Sequence, residues 1–157
     1  MRAYHYVVDH EGRIIHDGTE VVDPATLRFF LRAMQRTPDG RWLVVCQGER
    51  NWFEAPDTPF VVQRLRLGLE GDDLREIELC FAGDLREPLD PVTLETEAGM
   101  LFCRIRHGAV PARFSRIAMQ QLGPFLGEHH GAPALVVDGR VYLIAEHTPA
   151  ALRPAAG

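Results

Sequence analysis

Cys46, Glu49, Arg50, Asn51 and Asp57 stand in one polar stretch, Cys-Gln-Gly-Glu-Arg-Asn-Trp-Phe-Glu-Ala-Pro-Asp-Thr-Pro from Cys46 to Pro59, set between two apolar runs. A cysteine acts as a nucleophile when a nearby cation stabilises its thiolate and a base takes its proton. Arg50 would be that cation and His10 that base, which gives one candidate chemistry: a small cysteine-dependent hydrolase or transferase. The same stretch admits a binding use. Arg50 can grip a carboxylate or phosphate through two parallel hydrogen bonds, so Glu49, Arg50, Asn51 and Asp57 would shape a site for a small anionic ligand. It admits a structural use as well, in which Arg50 bridges Asp57 or Glu49 and Asn51 bonds exposed backbone between strands. Free cysteines are among the most buried residues, which favours the two readings without catalysis.

Other residues with chemical potential are scattered. His5, Asp9, His10, His16 and Asp17 crowd the start of the chain, and His129, His130 and His147 its far end. Imidazole and carboxylate ligate divalent cations, but no His-Glu-x-x-His or comparable spacing occurs, so neither a metal nor another cofactor is expected. All 17 basic residues are arginine, which removes lysine Schiff-base chemistry and the lysine of a phosphate-binding P-loop. Arg28, Arg32 and Arg36 recur at helical spacing and read as a solvated helix face. Arg64, Arg66, Arg104 and Arg106 lie on strand-like runs and read as partners for glutamates across a sheet, not as an anion site.

Bulk properties exclude further classes. The net charge of -5 leaves no basic surface for nucleic acid, so Trp42, Trp52 and Phe53 read as core or interface anchors instead of base-stacking platforms. No apolar run reaches membrane-spanning length, and the first residues lack the apolar segment of a signal peptide. Cys46, Cys80 and Cys103 are odd in number and sit in apolar surroundings, which implies buried thiols in a reducing compartment and a cytoplasmic location.

The elements that must position these residues follow from periodicity. Ala3 to Val8 and Arg13 to His16 make a hairpin around Asp9 to Gly12. Asp23-Pro24 opens a helix with Leu27, Phe30, Leu31 and Met34 on its inner face. Arg41 to Cys46, Phe60 to Leu69 and Leu74 to Phe81 read as strands. A three-residue loop at Glu70 to Asp72 would set Arg66 opposite Glu76, Arg64 opposite Glu78 and Leu65 opposite Ile77. Asp84 to Pro91 reads as a loop, Val92 to Thr96 and Met100 to Arg106 as strands. Val110-Pro111 opens a second helix carrying Phe114, Ile117, Ala118 and Leu122 on one face, and Gly123-Pro124 bends or ends it. Ala134 to Val137 and Arg140 to Ala145 form a hairpin on Asp138-Gly139, and a frayed tail follows Thr148.

Asp9-His10-x-Gly12, Cys46-x-Gly48-Glu49-Arg50-Asn51, Asp57-Thr58-Pro59 and Ala132-Pro133-Ala134 resemble the family called domain of unknown function 4505, also UPF 0598, over nearly the whole chain. Val44-Val45 stands where the animal members carry a longer segment ending in Ser-Pro. The first helix, the Asp-Thr-Pro-Phe stretch and the second helix are similar, more faintly, to the bacterial domain of unknown function 1285. Neither resemblance implies a reaction or a catalytic residue.

The fold expected is α+β, with mainly antiparallel twisted sheets and two packed helices. The 157 residues make one compact domain, or two lobes, 1–83 and 92–147, joined by a loop near 84–91. Helix one before Asp39-Gly40-Arg41 and helix two before Asp138-Gly139-Arg140 would then be two similar helix-plus-hairpin lobes. The expected function is a non-enzymatic binding or regulatory module for a small anionic ligand or a protein partner, with the cysteine enzyme as the alternative. Apolar strand faces leave a homodimer open.

Overall fold

The structure is a computed structural model and describes residues 2–147, so the tail expected after Thr148 lies outside the described residues. β1 (Ala3–Val8) turns through Asp9, whose Oδ1 accepts from the backbone N–H groups of Glu11 and Arg13 at 2.9 Å each. β2 (Ile14–His16) and β3 (Thr19–Glu20) follow. Asp23 caps α1 (Pro24–Ala33) by accepting from the Thr26 N–H at 2.9 Å, while Pro24 takes a first-turn position whose N–H has no intrahelical acceptor. Leu27, Phe30 and Leu31 are buried along its inner stripe. β4 (Gln35–Arg36) and β5 (Trp42–Cys46) form a hairpin, and Gln47-Gly48, at φ 52° and 78°, turns the chain into β6 (Glu49–Glu54). These strands make one sheet in the order β3-β2-β1-β6-β5-β4, in which β1 runs parallel to β6.

The apolar run from Phe60 to Leu69 is two strands, not one. β7 (Val61–Val62) leaves for a different sheet, and β8 (Arg64–Glu70) pairs with β9 (Asp73–Cys80). The turn between β8 and β9 has two residues and the ladder carries an irregularity at Gly68 and Leu69, so the register is shifted by two from the one expected. Arg66 faces Glu78, Arg64 faces Cys80 and Leu65 faces Leu79. A shift of two keeps every side chain on its own face, which is why the pattern of burial could not reveal it. Arg64 finds its acid at Asp84, 3.0 Å away, instead of in the ladder.

The segment expected as a loop from Asp84 to Pro91 is structured. After a 3-10 turn at Ala82–Asp84, β10 (Arg86–Pro88) adds to β9 as the third strand of that sheet. A second 3-10 turn, Pro91–Thr93, takes the first two residues of the strand expected at Val92 to Thr96, and β11 (Glu95–Glu97) takes its last two. β12 (Met100–Ile105) and β13 (Val110–Phe114) follow. The helix expected from Val110 therefore begins later. Pro111 sits in a strand beside Arg104, and Ser115, whose Oγ accepts from the Ala118 N–H at 3.1 Å, caps α2 (Arg116–Leu122). Phe114 is buried from the strand, Ala118 and Leu122 from the helix, and Ile117 faces outward.

β14 (Leu126–His129), β15 (Ala132–Val137) and β16 (Arg140–Leu143) form a three-stranded sheet, with Asp138-Gly139 as the expected hairpin turn. β17 (Ala145–His147) runs parallel to β11 and completes a five-stranded sheet in the order β17-β11-β12-β13-β7. The fold is α+β, as expected. One buried cluster includes Val8, Phe60 and Leu79 from before residues 84–91 and Phe114, Leu122 and Leu135 from after them. Cys80 and Cys103 are buried thiols and Cys46 is half-buried. No helix among the described residues is long and apolar enough to cross a membrane.

Two polar contacts fix α1 to the rest. Arg28 donates to the Gly83 carbonyl at 2.8 Å, so it does not belong to a solvated stripe. The Arg106 guanidinium donates to the carbonyls of Leu31, Arg32 and Met34 at the helix end instead of pairing with a glutamate across the sheet.

Candidate functional site

The β5–β6 hairpin separates the residues singled out in the sequence. Cys46 and Glu49 face each other at its tip. Arg50 is exposed and lies between Val45 and Ala3 in the sheet. Asn51 is buried and donates to the Val44 carbonyl at 3.1 Å, the backbone bond between strands that its chemistry suggested. Asp57 lies beyond the opposite end of β6, where its carboxylate meets Arg113 at 2.5 Å, so Arg50 does not bridge it. Replacing Arg50 by alanine is expected to change unfolding free energy by no more than ~0.5 kcal/mol, as for an ordinary surface site. A urea titration reads this directly, and a loss of several kcal/mol would restore the buried-network reading.

His10 and Cys46 do not come together. Val7 is level with Glu54 in the parallel β1–β6 pair, whereas Cys46 is level with Glu49. Five residues of strand at about 3.3 Å each separate those levels, and His10 lies further on, so the gap exceeds roughly 16 Å. A proton cannot pass directly between the two side chains, which corrects the expectation of a Cys46–His10 pair.

A different set of residues converges on a cleft of about 930 Å³. Strand alternation makes its floor. Leu101, Cys103, Ile105, Ala112 and Phe114 point from β12 and β13 into the core, which leaves Met100, Phe102 and Arg113 on the other face, where they line the cleft. The lining also includes Arg36, Trp42 and Trp52, the two indoles on opposite faces of the β5–β6 hairpin, since Trp42 pairs with Phe53 and Leu43 with Trp52. Arg36 lies across the β4–β5 hairpin from Trp42, and its guanidinium sits 4.7 Å from the indole centroid. Arg41 covers Trp52 at 3.7 Å. One arginine–tryptophan stack therefore lies on each face of the hairpin, around the end of which the cleft runs.

The Nε atoms of Arg36 and Arg113 are both buried with no hydrogen-bond partner among the described residues. Arg113 is partly satisfied through Asp57. Arg36 is in no ion pair among the described residues; burial first, and the Arg104 charge second, push its guanidinium below the ordinary arginine value. The contrast is a second cleft, about 800 Å³, lined by Arg66, Arg75 and Arg86. There Arg66 and Arg86 lie 3.9 and 3.6 Å from Glu78, and Arg75 lies 3.3 Å from Asp138, so each arginine has a carboxylate nearby, although the Arg75 Nε is itself buried without a hydrogen-bond partner among the described residues.

The sequence reading missed Arg36 and Arg113 because it assigned both to helices. A signal for Arg36 existed: a hairpin centred on Pro38-Asp39-Gly40 sets it opposite Trp42. Of the histidines, His16 lies 3.3 Å from Asp17 and His147 2.7 Å from Glu95. Among the described residues, no group of three or more His, Cys, Asp or Glu side chains is arranged to hold a metal ion.

No family model and no curated protein matches the sequence. A domain of unknown function 1285 protein from Silicibacter pomeroyi DSS-3 is similar in structure, with a TM-score of 0.65 and 16% identity over 90% of this chain and 81% of that one. A second protein of that description, from Shewanella baltica OS155, superposes with a TM-score of 0.56 and 9% identity over 76% of this chain and 90% of that one. The chain shares their fold. At such identities the likeness speaks for the fold alone, and their names assign no activity. It agrees with the fainter of the two sequence resemblances, to domain of unknown function 1285, while the one to domain of unknown function 4505 gains no support.

Proposed function

We propose that this protein is a non-enzymatic binding module for a small anionic ligand, held in the cleft between Arg36 and Arg113. The supporting observation is the Arg36 guanidinium, which lines the cleft with no ion-pair partner among the described residues and keeps its terminal nitrogens out of the buried, unpaired set. A carboxylate or phosphate oxygen that accepts from the terminal nitrogens supplies the counter-charge Arg36 lacks, and a hydrogen bond to a charged group is worth about 1.5–3 kcal/mol. A ligand would thus meet one cation without a counter-charge, in a lining whose three arginines are otherwise matched by Glu54, Asp57 and Glu97. Asp57, one of the residues expected to contact ligand, acts here as the partner that orients Arg113. Glu49, Arg50 and Asn51 have no part in this cleft.

Native mass spectrometry of gently purified protein tests the proposal. The expected result is a retained small molecule on the wild type that is lost from Arg36→Gln, since removing one charge-assisted donor weakens binding by about 10- to 100-fold. Retention of the same mass by Arg36→Gln would overturn it.

A further inference from the structure

We infer that two copies of this chain join through the free edge of β8, pairing antiparallel about a two-fold axis at Gly68. β8 is an end strand of its three-stranded sheet, whose order is β10-β9-β8. Alternate residues of an end strand turn their backbone N–H and C=O groups away from the sheet. Leu65 is one of these, and Gln121 of α2 answers it. The Leu65 N–H donates to the Gln121 side-chain oxygen at 2.7 Å, and the Gln121 amide donates to the Leu65 carbonyl at 3.1 Å. That side chain stands where a residue of a fourth strand would. The next two outward positions, Leu67 and Leu69, have no such partner among the described residues.

The irregularity in the β8–β9 ladder leaves this edge intact. Gly68 faces Glu76 and Leu69 faces Leu74, so the extra residue, Arg75, lies on β9 and β8 keeps its alternation.

From Arg66 to Glu70 the edge reads Arg-Leu-Gly-Leu-Glu, which is complementary to itself when reversed. An antiparallel copy centred on Gly68 sets Arg66 opposite the partner's Glu70 and Leu67 opposite the partner's Leu69, each twice by symmetry. The leucines then exchange four backbone hydrogen bonds, and opposite charges directly across an antiparallel pair are favourable. Gly68 meets its own counterpart at the axis, where Cα atoms lie about 4.5 Å apart and no side chain has to be accommodated. Centring on Leu67 instead would need Leu65, which Gln121 already holds, and would set Arg66 against Gly68. Any strand could use the backbone bonds; the reversed order of charge singles out a second copy.

The same pairing accounts for an exposed leucine. Leu65, Leu67 and Leu69 share the face of β8 that packs on the core, yet Leu65 is buried, Leu67 half-buried and Leu69 52% exposed. The core ends at Leu69 because no chain lies beyond it. In the pair, Leu69 of each copy lies beside the partner's Leu67, and both leave water.

Sedimentation equilibrium of the intact protein from about 5 µM to 1 mM tests the inference. The expected result is a mass that climbs from that of one chain toward that of two, with a midpoint on the order of 100 µM, as suits a small, reversible interface. Glu70→Arg, a change at a side chain 78% exposed, should weaken association about tenfold by setting like charges opposite each other twice, and adding Arg66→Glu should restore it. In wild type the amide signals of Leu67 and Leu69 should move with concentration, while that of Leu65 stays in place. A single-chain mass at 1 mM would overturn the inference. So would a dimer indifferent to Glu70→Arg, or one that the charge swap does not restore, because the chains would then meet elsewhere.

Discussion

Gly83→Ala is expected to destabilise the protein by about 3 kcal/mol. Gly83 sits at φ 72°, a region that costs an alanine roughly 1–2 kcal/mol, because the Cβ crowds the following carbonyl. The second contribution is steric. A Cβ built there would lie 2.7 Å from the Pro24 carbonyl oxygen and 2.9 Å from the Arg28 nitrogen. Both are backbone atoms of α1, so relief requires moving the helix away from the turn that follows β9, at a further cost of about 1–3 kcal/mol. That movement would also stretch the bond from Arg28 to the Gly83 carbonyl. For a chain of this size the melting temperature should fall by roughly 6–12 °C. Thermal unfolding of the variant within about 2 °C of wild type would show that α1 does not bear on Gly83 as described.

Arg106→Met should cost a similar amount, about 2–4 kcal/mol, at the other end of the same helix. The last carbonyls of a helix have no intrahelical donor, and they carry the negative end of its dipole. Here the guanidinium of Arg106 serves the Leu31, Arg32 and Met34 carbonyls, reaching Met34 at 2.9 Å across 72 residues of sequence. Methionine keeps an unbranched stem of similar length but removes the donors, the charge and the guanidinium's position 4.7 Å over the Phe60 ring, so the loss measures the capping bonds together with that contact. Arg106→Lys should recover part of the loss, because one ammonium cannot match the spread of a guanidinium over several carbonyls. Equal urea midpoints for Arg106→Met and wild type would contradict the capping role.

These two anchors also show what sequence could and could not convey. Periodicity and capping chemistry located α1 from Asp23, and the Asp-Gly turn located the last hairpin, because each signal lies within a few residues of what it specifies. Arg106 could not be understood that way. Its partners are distant in sequence, and a charged residue on a strand next to acids reads as a cross-strand pair until the helix end is seen above it. Pro111 misled for a related reason: proline opens helices and also fits a strand position whose N–H is not needed, and only the pairing with Arg104 decides between them.

The site was less legible than the fold. The density of polar residues from Cys46 to Asp57 was real, but a strand distributes neighbouring residues along its length and over two faces, so proximity in sequence placed Glu49 and Asp57 at opposite ends. Asn51 and Asp57 proved to be supports, one holding the hairpin and the other orienting Arg113. Arg36, Arg41 and Arg113 come from three separate elements, and what distinguishes them is the balance of partners around each guanidinium. That balance is a property of the assembled structure.

The measurement that tests the central claim most directly is a titration of the intact protein with benzoate, read at the Nε–H resonances of its arginines. Arg36 and Arg113 should shift together and saturate, while Arg66 and Arg86, already held by Glu78, stay in place. Shifts at Arg66 and Arg86 with Arg36 and Arg113 unmoved would contradict the account.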